Sequence, residues 1–262
     1  TIIGYVTDII TDLTLGWLDQ KRDRGKPFML MYMHKAPHRP WWPRADKFRE
    51  YSKMRFAMPS TLFDDYEGRG SAAREAEMNI LYDMKYGHDS KIRPETIFEM
   101  GSVLPEIPAM NWDGLDGFYQ NYNRANDAQK ANYDPIIDSI NFEFKKYWPI
   151  MSREEKMQWK YQRYMQDYLG TIASIDDNVG RLLDYLEETG LDQNTMIIYT
   201  SDQGFYLGEH GWFDKRFIYN ESFKTPLLIK WPEHIAPGST NDEMVQNLDF
   251  AQTLLDVAGI KA

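Results

Sequence analysis

The segment 195–216 constrains the fold and the chemistry of this chain most strongly. An apolar, β-branched run at 195–199 predicts a buried strand, and Asp202 and Gln203 lie directly beyond it. Open α/β sheets place their ligand sites at the C-terminal ends of strands. Carboxylate and amide oxygens suit Ca²⁺ or Mg²⁺. We therefore interpret Asp202 and Gln203 as metal ligands at the end of a central strand.

The loop that follows is rich in glycine, at positions 204, 208 and 211. Such a loop turns tightly and can bring His210 and Lys215 back toward the metal. A divalent cation, an imidazole and an ammonium group together can hold a tetrahedral oxyanion. The alternative is a solvated loop after a strand, since Ser-Asp-X-Gly is common at strand ends.

A second candidate site follows the apolar run 28–33, which predicts another strand. His38 lies between Pro37 and Pro40, which restrict the backbone on both sides. A rigidly held imidazole is a plausible acid or oxyanion ligand. Lys35, in the same loop, is a secondary candidate for binding substrate. The alternative for His38 is a histidine in a structural turn.

Charge and composition exclude several classes of protein. The net charge of −10 argues against nucleic acid as a partner, and no apolar run approaches the length of a membrane span. The chain has no cysteine, so it forms neither disulfides nor thiolate metal sites. An anionic sugar bound in a locally positive pocket remains compatible with this composition.

Together these segments resemble the formylglycine-dependent sulfatases. The resemblance rests on 35–41, 201–204, 208–211, 214–216 and 225–232. Segments 59–69 and 78–85 are most similar to bacterial N-acetylglucosamine-6-sulfatases. The resemblance implies that Asp202 and Gln203 bind Ca²⁺, that Lys215 contacts the sulfate, and that His38 protonates the leaving alkoxide. His210 and Arg216 are candidates for binding substrate.

The resemblance also implies a formylglycine, made from Cys or Ser in a Cys/Ser-X-Pro-Ser-Arg motif. The nearest match here is 57–61, which begins with Ala57 and ends with Thr61. We therefore expect the C-terminal part of a catalytic domain, inactive by itself, with one incomplete Ca²⁺ site. The family's N-terminal Asp ligands are not carried over to the Asp pairs at 64–65 or 176–177.

The expected architecture is α/β: an alkaline-phosphatase-like sandwich with a mostly parallel central sheet, incomplete at its N-terminal side. Residues 1–262 form one partial domain with an irregular insertion at about 87–150. Helices are predicted at 3–20, 71–86, 153–189 and 248–258, and a further strand at 226–230. We expect an unpaired edge on strand 28–33 or 195–200, covered by further chain or by a second copy.

The implied activity is sulfuric ester hydrolysis on a sulfated carbohydrate, in a periplasmic or secreted protein. One alternative is a phosphoryl hydrolase or phosphodiesterase of the same superfamily. Such enzymes commonly use two metals and more His and Asp ligands than a chain with five histidines offers readily. The other alternative is a non-catalytic, sugar-binding or structural fragment.

Overall fold

Helices far outweigh strands in the described part of the chain. The computed structural model describes residues 2–101 and 112–260. In chain order the helices are α1 (Val6–Gly16), α2 (Ala45–Tyr51), α3 (Ser71–Glu75), α4 (Tyr86–Ser90), α5 (Pro94–Glu99), α6 (Trp112–Tyr122), α7 (Asp127–Tyr147), α8 (Arg153–Glu188), α9 (Asn220–Phe223) and α10 (Asn247–Val257). The strands are β1 (Ile197–Thr200), β2 (Tyr206–Leu207), β3 (Phe213–Asp214) and β4 (Leu227–Lys230).

Helix α8 confirms the predicted helix at 153–189. It begins with a capping box, in which the Glu155 backbone N–H donates to Ser152 Oγ at 3.2 Å and the Ser152 N–H donates to the Glu155 carboxylate at 2.7 Å. Gly190 lies just beyond its C-terminus, and its φ of +69° is the left-handed conformation expected there. One face of the helix is buried along its length and supports the rest of the fold.

The main hydrophobic core lies around α8, which packs against α1, α2 and α4. Aromatic side chains fill much of it. Trp41 and Tyr164 pack with their ring centroids 4.8 Å apart, and Phe144 and Trp148 with theirs 4.9 Å apart. All four are almost completely buried. Large aromatic residues contribute much of the buried apolar area, so this region is the stable base from which the loops project.

The predicted insertion at 87–150 is more regular than we expected. Helix α7 alone spans 21 residues. It opens with a capping box between Asn126 and Gln129, and it buries Ile136, Ile137, Ile140 and Phe144. Those spacings follow the helical period and were a detectable signal. Residues 102–111 of the insertion lie outside the described part of the chain, and the single-domain assignment stays a prediction.

The predicted helix at 71–86 is wrong in its extent. Helix α3 covers only Ser71–Glu75, and the chain then runs beside the segment before β3. The Ile80 backbone N–H donates to Gly211 O at 2.9 Å, and the Phe213 N–H donates to Met78 O at 2.9 Å. These long-range hydrogen bonds take up the backbone groups that a continued helix would have used.

Both described sheets are small and antiparallel. β1 pairs with β4, with Ile197 opposite Lys230 and Thr200 opposite Leu227, and β2 pairs with β3. The parallel pairs that we expected do not occur among the described residues. The neighbour of β1 in its sheet is β4, and β4 runs in the opposite direction to β1. Within these residues β1 has no second neighbour, and the expected free edge stays a prediction.

The predicted strand at 28–33 is wrong: the segment has no regular secondary structure and pairs with no strand among residues 2–101 and 112–260. Its side chains alternate as they do in a strand. Tyr32 points inward, and its hydroxyl lies 2.5 Å from Thr11 Oγ, whereas Met29, Met31 and Met33 are about two-thirds exposed, at 64, 66 and 66%. The sequence pattern therefore predicted the alternation of partly buried and exposed side chains but not the absence of a strand. A ladder needs a partner strand, which the local pattern does not reveal.

Within the described residues, no helix combines the length and the apolar character that crossing a membrane requires.

The buried Lys160 predicts a specific dependence of stability on pH. Its Nζ donates to Leu81 O at 2.8 Å and to Met84 O at 2.6 Å, and burial lowers its pKa from 10.5 to about 7. Between these values the unfolded state binds more protons, so the free energy of unfolding rises with pH by up to about 1.4 kcal/mol per pH unit. Below about pH 7 the contribution of Lys160 to the free energy of unfolding is constant, because Lys160 is protonated in both the folded and the unfolded state.

We expect Lys160→Met to remove this slope. Urea unfolding between pH 7 and 10 measures it, provided that the buffers share one ionic strength. Lys53→Met is the matched control, since Lys53 is exposed. Parallel pH profiles for wild type and Lys160→Met would contradict the assignment.

Candidate functional site

The turn after β1 carries the predicted metal ligands. Asp202 and Gln203 lie just beyond the strand, after Ser201, and outside any helix, as predicted, although β1 belongs to a two-stranded sheet and not to a central one. Ser201 Oγ donates to Gln203 O at 2.8 Å and lies 3.4 Å from Asp202 Oδ1, so it shapes the turn. The Asn247 side-chain amide donates to Asp202 O at 3.1 Å. The Asp202 side chain itself is exposed and available to a ligand. Its role in binding metal stays a prediction.

Gly204 allows this turn to dock against α9. Its backbone N–H donates to Ser222 O at 2.9 Å. A Cβ at this position would lie 2.2 Å from Glu221 O and 2.5 Å from Lys224 O, closer than real Cβ contacts. Glycine is therefore required here by close backbone approach, whereas the sequence alone suggested only a tight turn.

Lys215 follows β3, and its backbone carbonyl contacts helix α9. Ser222 Oγ donates to Lys215 O at 2.7 Å, so α9 contacts both the turn after β1 and the residue that the resemblance assigns to the sulfate. Asp214 is buried, and its carboxylate forms an ion pair with Arg216, whose side chain is 64% exposed. The structure thus gives Arg216 a partner within the loop, and its predicted contact with substrate stays a prediction.

The loop that carries His38 is held by its own backbone. Trp41 Nε1–H donates to Pro37 O at 2.8 Å, and the His38 N–H donates to Lys35 O at 2.9 Å. His38 Nδ1 lies 2.6 Å from Arg39 O. Because a carbonyl only accepts, Nδ1 carries the proton and Nε2 is free to face a substrate. The Lys35 side chain is exposed in the same loop.

Arg39 anchors this loop to the core through Asp89, a residue that the sequence analysis missed. Arg39 Nε donates to one Asp89 oxygen at 2.5 Å and its terminal nitrogen donates to the other. Burial alone would raise the pKa of Asp89, but hydrogen bonds from His88 and Arg39 and the Arg39 charge lower it to about 2. A 50-residue separation hides this pair from any local pattern.

Two aromatic contacts join the His38 loop to the other candidate residues. The rings of Trp41 and Phe205 lie 6.2 Å apart, and the Arg39 guanidinium lies 5.1 Å above the ring of Phe213. Phe205 follows the metal-ligand turn, and Phe213 precedes Lys215 by two positions. The structure therefore assembles all three loops on one another. The expected approach of His38 and Lys215 to within about 10 Å of Asp202 stays a prediction.

His210 is engaged in a separate cluster. Its Nδ1 lies 2.7 Å from Asp64 Oδ2, and Arg69 Nη2 lies 2.7 Å from the same oxygen. The Tyr66 hydroxyl donates to His210 O at 2.6 Å. Burial would raise the pKa of Asp64, but the hydrogen bonds from His210 and the Tyr66 N–H, with the Arg69 charge, lower it. The sequence analysis placed Asp64 in a loop and did not predict this contact.

The donor set at the predicted metal site fits Ca²⁺ in type but not in number. Asp202 and Gln203 offer hard oxygens, whereas Ca²⁺ takes six to eight. Within the described residues, no three His, Asp or Glu side chains are grouped so that they could hold a metal ion. The formylglycine does not fit this chain at all. Ala57, at the first position of the nearest matching segment, offers no convertible side chain, and its carbonyl accepts from the Tyr161 hydroxyl at 2.6 Å.

The sulfatase family model matches residues 2–260. The chain belongs to the sulfatase family. It is 43% identical over 98% of its length to the N-acetylglucosamine-6-O-sulfatase of Bacteroides thetaiotaomicron, and covers 44% of that protein. It is 26% identical over 98% of its length to the human N-acetylglucosamine-6-sulfatase, and covers 33% of that protein. The chain therefore spans less than half the length of these relatives.

A solved structure supports the same assignment at the level of the fold. It is described as a complex with its substrate, D-glucosamine-2-N,6-O-disulfate. It superposes on all of this chain with a TM-score of 0.87 and 42% identity, and the chain covers 50% of it. The predicted alkaline-phosphatase-like sulfatase fold is thereby confirmed, although the part described here is rich in helix and contains little sheet.

Proposed function

We propose that the protein carrying this chain is a sulfuric ester hydrolase that removes the 6-O-sulfate from an N-acetylglucosamine unit of a sulfated saccharide. The observation that carries the proposal is the 43% identity, over 98% of the chain, to an enzyme named for this reaction. The arrangement of the site supports it, since the His38 loop contacts Phe205, beside Asp202, through Trp41 and contacts Phe213, beside Lys215, through Arg39.

Sulfatases generally depend on Ca²⁺ and a formylglycine. A Ca²⁺ ion bound at Asp202 and Gln203 would neutralise negative charge on the sulfate oxygens. Lys215 would add a second positive charge to the same group. The chain has no cysteine and does not supply the formylglycine, so we propose that residues 1–262 alone do not turn over substrate. Family members are usually secreted or periplasmic, and we propose the same location here.

His38 would act on the departing sugar. When the bond between sulfur and the sugar oxygen breaks, that oxygen leaves with negative charge and needs a proton. With Nδ1–H held by Arg39 O at 2.6 Å, the imidazolium form presents Nε2–H as the donor. The Arg39–Asp89 ion pair keeps the loop in this orientation.

The direct test is sulfate release by the full-length protein. We expect hydrolysis of N-acetylglucosamine-6-sulfate and at least about a hundredfold lower kcat/KM for the 3-sulfate, because the reacting group must meet a fixed site. Ion chromatography of released sulfate measures both. Equal rates on the two isomers, or hydrolysis only of phosphate esters, would contradict the proposal.

Asp202→Asn tests the metal assignment. The substitution keeps the shape of the side chain and removes one negative charge, so we expect Ca²⁺ affinity to fall at least about tenfold. Calorimetric titration of the metal-free full-length protein measures affinity without relying on activity. Asp242→Asn is the matched control, because Asp242 is an exposed loop carboxylate. Unchanged affinity in Asp202→Asn would place the metal elsewhere.

A further inference from the structure

An open cleft of about 520 Å³ lies along α9, the helix that also contacts Lys215 O. Arg69 and His210 form part of its lining, and Ile218, Tyr219, Asn220, Glu221 and Phe223 form the remainder. The chemistry proposed above uses none of the cleft's side chains, and His210 has so far been only a candidate for binding substrate. The cleft therefore needs its own explanation.

Asp64 orients both the Arg69 guanidinium and the His210 imidazole in this cleft. Its carboxylate accepts His210 Nδ1–H at 2.7 Å and pairs with Arg69 Nη2 at 2.7 Å. The Asp64 side chain is 10% exposed and the Arg69 side chain 31% exposed. The interaction with Asp64 fixes the imidazole ring, and Nε2 makes no hydrogen bond within the described part of the chain. A preorganised guanidinium is suited to an oxyanion, such as a carboxylate or a sulfate, and the imidazole can donate Nε2–H to the same group when the ring is protonated.

The opposite wall is suited to a sugar ring rather than to a free inorganic ion. Ile218 and Phe223 are 80 and 76% exposed, and the ring of Tyr219 lies 5.2 Å from that of His210. Glu221 lines the same cleft. Its carboxylate can accept hydrogen bonds from sugar hydroxyls, and its negative charge disfavours an isolated anion. Apolar surface with a few directed polar groups is typical of a site for an organic ligand.

Helix α9 connects this cleft to the predicted chemistry. Its residues Asn220, Glu221 and Phe223 line the cleft, while Ser222 binds Lys215 O through its hydroxyl and the Gly204 N–H through its carbonyl. A saccharide whose 6-O-sulfate lies near Lys215 would therefore extend along α9 toward Arg69. This step rests on the proposed function.

We infer that the cleft binds the sugar next to the 6-O-sulfated unit, and that Arg69 and His210 contact an acidic group on that neighbouring sugar. The group is a carboxylate, as in a uronic acid, or a sulfate. This would make the enzyme select its substrate by the charge of the adjoining unit as well as by the sulfate that it removes.

Binding to unreactive disaccharides tests the inference without requiring turnover. Three ligands lack the 6-O-sulfate and differ only in the adjoining sugar, which carries a carboxylate, a sulfate or neither. With the full-length protein, calorimetry is expected to show at least about tenfold tighter binding of one or both acidic ligands than of the neutral ligand. Comparison of the affinities for the two acidic ligands identifies which acidic group the cleft prefers. Inorganic sulfate alone is expected to bind far more weakly than either.

Arg69→Met is expected to lower the affinity for the acidic ligands to that for the neutral ligand. Arg69→Lys is expected to restore part of the difference in affinity. The matched control Arg74→Met, which alters an exposed arginine on α3, should leave the difference unchanged. Equal binding of all three ligands by wild type, or an undiminished difference in a folded Arg69→Met, would overturn the inference. Sulfate release from the 6-sulfated monosaccharide is scored separately, so failure of the proposed function is distinguishable.

Discussion

Replacing His38 by alanine is expected to lower kcat for N-acetylglucosamine-6-sulfate by about 10²- to 10⁴-fold, the usual contribution of a positioned general acid. The reason is the poor leaving group, since a sugar alkoxide needs a proton as the bond to sulfur breaks. For 4-nitrophenyl sulfate, whose leaving group is stable as an anion, the loss should be far smaller. Steady-state kinetics on both substrates with the full-length protein measures this contrast.

The contrast between substrates separates proton donation from a structural role for His38. Damage to the loop would reduce both rates alike, whereas loss of the acid affects mainly the sugar ester. His234→Ala serves as the control, because His234 is an exposed loop histidine that stacks on Trp231 at 3.9 Å. An equal loss on both substrates would mean that His38 positions the loop and donates no proton.

Asp167→Ala is expected to lower the free energy of unfolding by about 3–5 kcal/mol, as breaking a buried ion pair does. Asp167 is completely buried and accepts from Lys91 Nζ at 2.5 Å and from Arg163 Nη2 at 2.6 Å. Without it, both cations stay in the core with their charge uncompensated. Lys91 also donates to Trp41 O at 2.6 Å, so the damage should reach the His38 loop.

Chemical denaturation of the full-length protein, followed by tryptophan fluorescence, measures the change. Glu99→Ala provides the matched control, since it removes the carboxylate of the Lys145–Glu99 ion pair, in which both side chains are more than half exposed. Exposed pairs contribute about 0–1 kcal/mol. If Asp167→Ala cost no more than Glu99→Ala, the buried pair would not be a stabilising element of this core.

Local sequence patterns correctly predicted those secondary-structure elements whose formation depends mainly on residues close to one another in the chain. Helix α8 was recognisable from the spacing of its apolar residues and from Gly190 at its end. The placement of Asp202 after β1 followed from the apolar run before it. Both features depend on neighbours within a few positions along the chain, so an isolated sequence contains the required information.

The predictions that failed depended on distant parts of the chain. Residues 76–85 looked helical, but their backbone pairs with 211–213, more than 130 positions away. Segment 28–33 has the alternation of a strand and finds no partner among the described residues. In α1 the buried side chains include Thr7 and Thr11, while Val6 and Leu13 are more than half exposed, at 53 and 56%. Burial is decided by what packs against a helix, which hydropathy does not report.

The sequence by itself determined the sulfatase resemblance, the candidate groups His38, Asp202, Gln203 and Lys215, and the helix that supports them, because motif spacing and periodicity are local properties. Only the tertiary structure decided how those groups are held. The pairing of Arg39 with Asp89, and of His210 with Asp64 and Arg69, joins residues 50 to 146 positions apart. Such pairs form because buried charges must be compensated wherever the fold brings opposite charges together, and the fold makes that choice.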